Sequence, residues 1–206
     1  MKSFFKMFAD SFREFGNLRC IAVTGVFIAI SMAIEMFSVD IGYVKLNFAF
    51  LAIAVIGMLF GPTVGFFAGL ACDVVGFVAH PTGAFLPLYT LVAGLQGLIY
   101  GCCLYMKNDT HSIVLRNKLD STERDITLFL KAVLARLLDV IVINLLINTK
   151  LNLHYGFIPK EAYSTAIVAR IAKNVIELCA DIPLLFIILP ACLAAYKRVV
   201  RQKASA

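Results

Sequence analysis

Arg170, Asn174, Glu177 and Asp181 follow one another at steps of four, three and four, so a helix would carry all of them on one face. Lys173 borders that face. Upstream, Asn144 and Asn148 stand one turn apart, with Arg136 and Asp139 before them. Asp73 is the lone charge between Lys45 and Lys107. Guanidinium and ammonium groups suit carboxylates, and side-chain amides offer donors and acceptors to a polar ring edge. Ionisable groups inside apolar segments are costly and need a protein partner or a wet cavity. They have three possible uses here. One is internal ion pairing, for example of Arg136 with Glu177 or Asp139; the deep members Arg136, Asp139 and Asp181 suit this better than Asn148 or Arg170. A second is a pocket for a polar ligand. The third, from a different class, is an intramembrane enzyme with Asp73 and Glu177 as acid and base.

Other chemistries find no footing. The three histidines, His80, His111 and His154, are too scattered for a metal site. The six cysteines fall in or beside apolar segments without metal-ligand spacing and read as small apolar fillers. No G-x-x-x-x-G-K-[ST] loop is present, so the chain does not bind ATP in the P-loop manner. No cofactor of its own is expected. The sequon Asn108-Asp109-Thr110 falls in a loop assigned to the cytoplasmic side and reads as chance.

The elements that must hold these residues are membrane helices. Of 206 residues, 61% are hydrophobic and 16% charged, and mean hydropathy is +0.87. The uncharged intervals on either side of Asp73 far exceed the ~20 apolar residues of a spanning helix. The expected fold is all-α: one polytopic bundle of six transmembrane helices over residues 18–198. Residues 1–17 precede it and a basic tail, 199–206, follows. In the N-terminal segment Phe4, Phe8, Phe12 and Phe15 recur at helical spacing opposite Lys2, Lys6 and Arg13, which predicts an amphipathic helix in the membrane interface.

The spans are expected at about 19–37, 46–60, 62–79, 88–106 and 126–148, with a last long helix from 163 to about 196 bent by Pro183 and Pro190. A short connection with Asp40, Tyr43, Lys45 and Asn47 follows the first. Hydrophilic loops are expected at 107–125 and 149–162. Gly61, Gly65 and Gly69 on one helix, and Gly94, Gly97 and Gly101 on the next, predict a close-packed hairpin. Its tip is His80-Pro81-Thr82-Gly83-Ala84-Phe85-Leu86-Pro87. Ala22, Gly25, Ala29 and Ala33 make a further small-residue stripe. It fits either the chain's own glycine ridge or a different membrane protein.

Thirteen of the 19 Lys and Arg residues lie in 1–19, 107–131 and 197–203. The positive-inside rule therefore puts both termini and the 107–125 loop in the cytoplasm. It also explains the net charge of +6 without nucleic acid as a partner.

One run resembles a known family: Gly61-Pro62-x-x-Gly65, Asp73, Pro81-Thr82-Gly83-x-Phe85-x-Pro87-x-x-Thr90-Leu91 and Gly97-x-Ile99-Tyr100-Gly101. With Ala135-Arg136, Asn144-Leu145-x-x-Asn148-Thr149, Tyr155-Gly156 and Arg170-Ile171-x-Lys173, it is similar to the folate-type substrate-binding S components of energy-coupling-factor (ECF) vitamin transporters. Ala29-x-x-x-Ala33 matches that family's first-helix motif. The resemblance spans about residues 20–196. It implies six helices in a prokaryotic plasma membrane, an outward-facing site for folate or another vitamin, and no enzymatic activity. It also implies two ABC ATPases and a transmembrane scaffold subunit as partners, the scaffold meeting the Ala29-x-x-x-Ala33 motif; the candidate docking residues are Ala22, Gly25, Ala29 and Ala33. The candidate substrate-binding residues are Lys45, Asp73, His80, Thr82, Gly83, Phe85, Tyr89, Arg136, Asn144, Asn148, Arg170, Asn174 and Glu177. Folate's flat pterin suits an aromatic face, Phe85 or Tyr89, and a polar edge, Asp73 or the asparagines. Its glutamate carboxylates suit Arg170, Lys150 or Lys45.

Overall fold

A computed structural model describes residues 2–36, 39–41, 44–46, 48–81, 83–105, 121–159, 161 and 163–204. Helix α1 (Lys2–Arg13) leads through a short 3₁₀ turn into α2 (Leu18–Met36). A two-stranded hairpin follows, β1 (Val39–Ile41) paired antiparallel with β2 (Val44–Leu46), Asp40 opposite Lys45. Then come α3 (Phe50–Phe60), α4 (Pro62–Ala79) and α5 (Pro87–Leu104). The chain resumes in α6 (Ser121–Leu138), a π-helical segment Asp139–Ile147, α7 (Asn148–His154) and α8 (Tyr163–Ala204).

Among the described residues, four stretches are long and apolar enough to cross a membrane: Leu18–Glu35, Pro62–Ala79, Pro87–Leu104 and Tyr163–Tyr196. The protein is a multi-pass, overwhelmingly helical membrane protein. α3 is different. It is apolar all round, Ala54, Val55 and Ile56 are wholly buried, and the other helices enclose it. At 11 residues it is about 16 Å long, short of the ~30 Å hydrocarbon core. The expected span from Leu46 is corrected on this point, because Val44–Leu46 pairs as a strand.

Three further boundaries move. The fifth expected span does not end at Asn148: the helical path runs through the π segment to His154, so the loop expected from Thr149 starts later. Helix α6 begins at Ser121, inside the loop expected at 107–125, whose 107–120 portion lies outside the described residues. The last helix passes both Pro183 and Pro190 and continues to Ala204, so the tail assigned to 199–206 is helical over most of its length.

Two junctions set the packing. At the α3–α4 break Gly61 has φ +90°, and a Cβ there would lie 2.8 Å from Ser11. The fully buried Ser11 hydroxyl donates to the Phe60 carbonyl at 2.7 Å and accepts from the amides of Thr63 (3.0 Å) and Val64 (3.2 Å). It thus caps the free N–H groups at the start of α4 from α1. Phe4, Phe5 and Phe12 stay exposed on α1, while Phe8 and Phe15 are half-buried.

The second junction is the α4–α5 hairpin. A Cβ at Gly69 would come within 2.1 Å of the Ala93 carbonyl oxygen, and one at Gly97 within 2.0 Å of the Gly65 carbonyl oxygen. The two backbones touch, and only glycine allows it. With Gly65 and Gly69 occupied by α5, the stripe on α2 is left facing outward. Ala22, Gly25, Ala29 and Ala33 are all exposed, and nothing lies within 4 Å of where a Gly25 Cβ would be.

Candidate functional site: a polar cavity between α2, α5 and α8

The opposite side of α2, with Ser31, Met32 and Glu35, faces a cavity of about 1080 Å³. Phe50 and Ile53 of α3 and Asp73, Gly76 and Phe77 of α4 contribute to its walls. The hairpin tip adds His80, Gly83 and Phe85, with Phe85 against Phe77 at 5.1 Å between ring centroids. A smaller polar compartment of about 350 Å³ lies beside it, lined by Asn144, Asn148, Asn152, Arg170 and Asn174 among others. Tyr89, Asn144, Lys173 and Glu177 line both.

The face predicted on the last helix is present and divides by depth. Arg170, Asn174 and Glu177 line the smaller compartment. Asp181, one turn beyond, is 2% exposed and accepts from Arg136 Nη2 at 2.5 Å and Nε at 3.0 Å. Arg136 also donates to Asp139 at 2.6 Å, and its guanidinium lies 4.1 Å from the centre of the Phe50 ring. Arg136 touches the larger cavity, but its charge is committed to this buried triad. The internal pairing expected of it is with Asp139, as one of the two partners named, and with Asp181 rather than Glu177. Glu177 pairs with Lys173 at 3.3 Å.

Above the triad the π segment carries an amide ladder. Asn144 Nδ2 donates to Asn174 Oδ1 and Asn148 Nδ2 to Asn144 Oδ1, each at 3.3 Å. Asn174 Nδ2 donates to the Arg170 carbonyl at 2.9 Å, and Arg170 Nη1 to the Asn144 carbonyl at 3.3 Å. Among the described residues Asn148 Oδ1 is buried without a hydrogen-bond partner. π-helical turns recur at functional sites because the extra residue per turn re-aims side chains.

Asp73 accepts from Thr90 at 2.6 Å and borders the larger cavity. Tyr89 is hydrogen-bonded to Asn152 and stacked on Tyr155 at 5.9 Å. Thr82 lies outside the described residues. Lys45 is on β2, where only the backbone is described. Lys150, weighed for the carboxylates, is exposed and lines neither cavity.

Several lining residues were not anticipated. Asn152 continues the spacing of Asn144 and Asn148 by one more step of four, a signal hidden by the loop expected there. Gln96 is the one side-chain amide of α5, and Phe50 and Glu35 had no signal beyond their types.

The profile of the "ECF-type riboflavin transporter, S component" family matches residues 16–190, most of the chain. The chain belongs to that family. It is a family of transporter components, so the enzyme reading of Asp73 and Glu177 falls. The curated "Folate transporter FolT" of Clostridium novyi (strain NT) is 36% identical over 70 residues, 34% of this chain. That alignment spans 41% of the relative's length. Among solved structures, "Crystal structure of FolT bound with folic acid" matches with a TM-score of 0.63 and 28% identity. The match covers 82% of this chain and 92% of that one.

Proposed function

We propose that this protein is the substrate-binding S component of an ECF-type importer in a prokaryotic plasma membrane, and that its ligand is folate or a close relative. The observation that carries the reading is the likeness to folic-acid-bound FolT over 92% of that chain. The cavity supports it physically. Aromatic walls suit a flat heterocycle, an amide ladder suits its polar edge, and Arg170 with Lys173 suits carboxylates. The substrate contacts in this reading are Asp73, His80, Gly83, Phe85, Tyr89, Asn144, Asn148, Arg170, Asn174 and Glu177, with Lys45 and Thr82 from the neighbouring loops. Six spans, cytoplasmic termini and an outward-opening cavity belong to the same proposal.

The chain needs no cofactor in this scheme. ATP is consumed by two ABC ATPases acting through a transmembrane scaffold subunit, which docks on the outward stripe of α2. The exposure of all four stripe residues supports that role against internal packing. Riboflavin is the second reading, favoured by the description of the matching family. It is a neutral ligand and leaves Arg170 without a counter-charge. Calorimetry on the purified chain without ATP, titrated with folate and with riboflavin, tests both. Stoichiometric folate binding is expected. Riboflavin binding without folate binding overturns the ligand, and binding of neither overturns the reading.

A further inference from the structure

One face of α5 carries Tyr89, Ala93, Gln96 and Tyr100, at steps of four, three and four. Tyr89, Ala93 and Gln96 line the larger cavity, while Tyr100 is fully buried below them. Gln96 is seven residues, about 10 Å along the helix, from Tyr89. Phe50 of α3 lines the same cavity.

The amide of Gln96 has one donor end and one acceptor end, and its surroundings choose between them. Nε2 lies 3.0 Å from Asp139 Oδ2. The same oxygen takes the Arg136 Nη1 proton at 2.6 Å, so it is an acceptor. A flipped amide would set its own oxygen against that carboxylate, two acceptors face to face. The donor end of Gln96 is therefore held by the charge triad. Its carbonyl Oε1 has no protein partner among the described residues.

We propose that Gln96 is a specificity-determining residue that reads the ligand's ring as a hydrogen-bond acceptor, with its polarity set by Asp139. The proposal rests on the folate reading above and names the ring edge concerned. A 2-amino-4-oxopyrimidine edge offers two adjacent donors, the ring N3–H and the 2-amino group, and the 2-amino group is the one assigned to Oε1. The corresponding edge of an isoalloxazine has its N–H between two carbonyls, which oppose an inward carbonyl. An acceptor fixed at this point thus selects for the first ring type and against the second. Asp139 lines neither cavity, so it acts through Gln96 as a positioning residue.

The test compares the affinities of folate and its 2-desamino-2-methyl analogue for the wild type, Gln96→Met and Asp139→Ala, each checked for thermal stability. Wild type should prefer folate by about 10–100-fold, the span of one buried acceptor left unmet. Gln96→Met keeps the volume without either polar end, and the preference should fall towards one. Asp139→Ala removes the acceptor that holds the Gln96 amide and so releases its polarity. The preference should fall there too, and this variant carries the test if Gln96→Met does not fold. A merely structural role would weaken both ligands equally, and an unchanged preference in the folded variants overturns the assignment. So does a wild type that binds both compounds alike. Failure of the wild type to bind folate at all overturns the folate reading and this one together.

Discussion

The α4–α5 hairpin and the wall made by α6, the π segment and α8 solve opposite problems in the same bilayer. In the hairpin, glycines remove side chains until carbonyl oxygens meet Cα atoms, and no space is left. In the wall, charged and amide side chains hold helices together at a distance; the smaller cavity opens among them and the larger one borders them. Close backbone contact makes a rigid support, because neither helix can shift without a clash. Polar side chains cost free energy in hydrocarbon and persist where they pair or meet a ligand. The wall itself divides again. Its deep residues Arg136, Asp139 and Asp181 pair their charges with one another, whereas Arg170, Asn144 and Asn148 line the smaller cavity.

Four substitutions sharpen this contrast. The largest effect is expected from Gly69→Val, which drives a branched side chain into the Ala93 carbonyl. The loss should exceed the about 1–3 kcal/mol typical of overpacking, since backbone must move. Size-exclusion profiles in detergent should show no monodisperse protein; a folded, ligand-binding variant would remove the rigid-support reading.

Arg136→Ala comes next. It strands two buried carboxylates, and about 3–5 kcal/mol of stability should be lost. Denaturation of the purified variant reads this. An unchanged unfolding profile combined with lost ligand affinity would return Arg136 to the ligand contacts.

Arg170→Ala should behave in the reverse sense. Its side chain makes one long hydrogen bond to protein, so stability should hold. Loss of a charge-assisted contact, about 1.5–3 kcal/mol, should weaken folate binding by roughly 10–150-fold. Reduced stability at unchanged affinity would make Arg170 structural.

The smallest effect on the isolated chain is expected from Ala29→Trp. The site faces outward, so folding and ligand binding should match the wild type. Uptake by cells carrying the whole transporter should be abolished. Normal uptake would mean that no partner approaches this face.

Periodicity alone made much of this legible. The spacing of Arg170, Asn174, Glu177 and Asp181 determined their common face, because 3.6 residues per turn leaves no alternative on a helix. The glycine ladders determined the hairpin for the same reason. Composition determined the membrane class, since such long uncharged stretches find no place in a water-facing surface. What periodicity cannot express is the distance between faces. Arg136 meets Asp181 across 45 positions of sequence, rather than Glu177 one turn earlier, and helix packing alone selects between them. The π segment also lacked a warning, since its residues are ordinary helix formers and the widened turn belongs to the packing around Asp139 and Asn144. α3 reads from sequence like any other apolar span. Only the ring of helices around it made it a short central strut, because burial is a property of neighbours. Gln96 is the clearest case: its residue type promised an amide, and the guanidinium of α6 with the carboxylate that opens the π segment decided which end of that amide meets the triad.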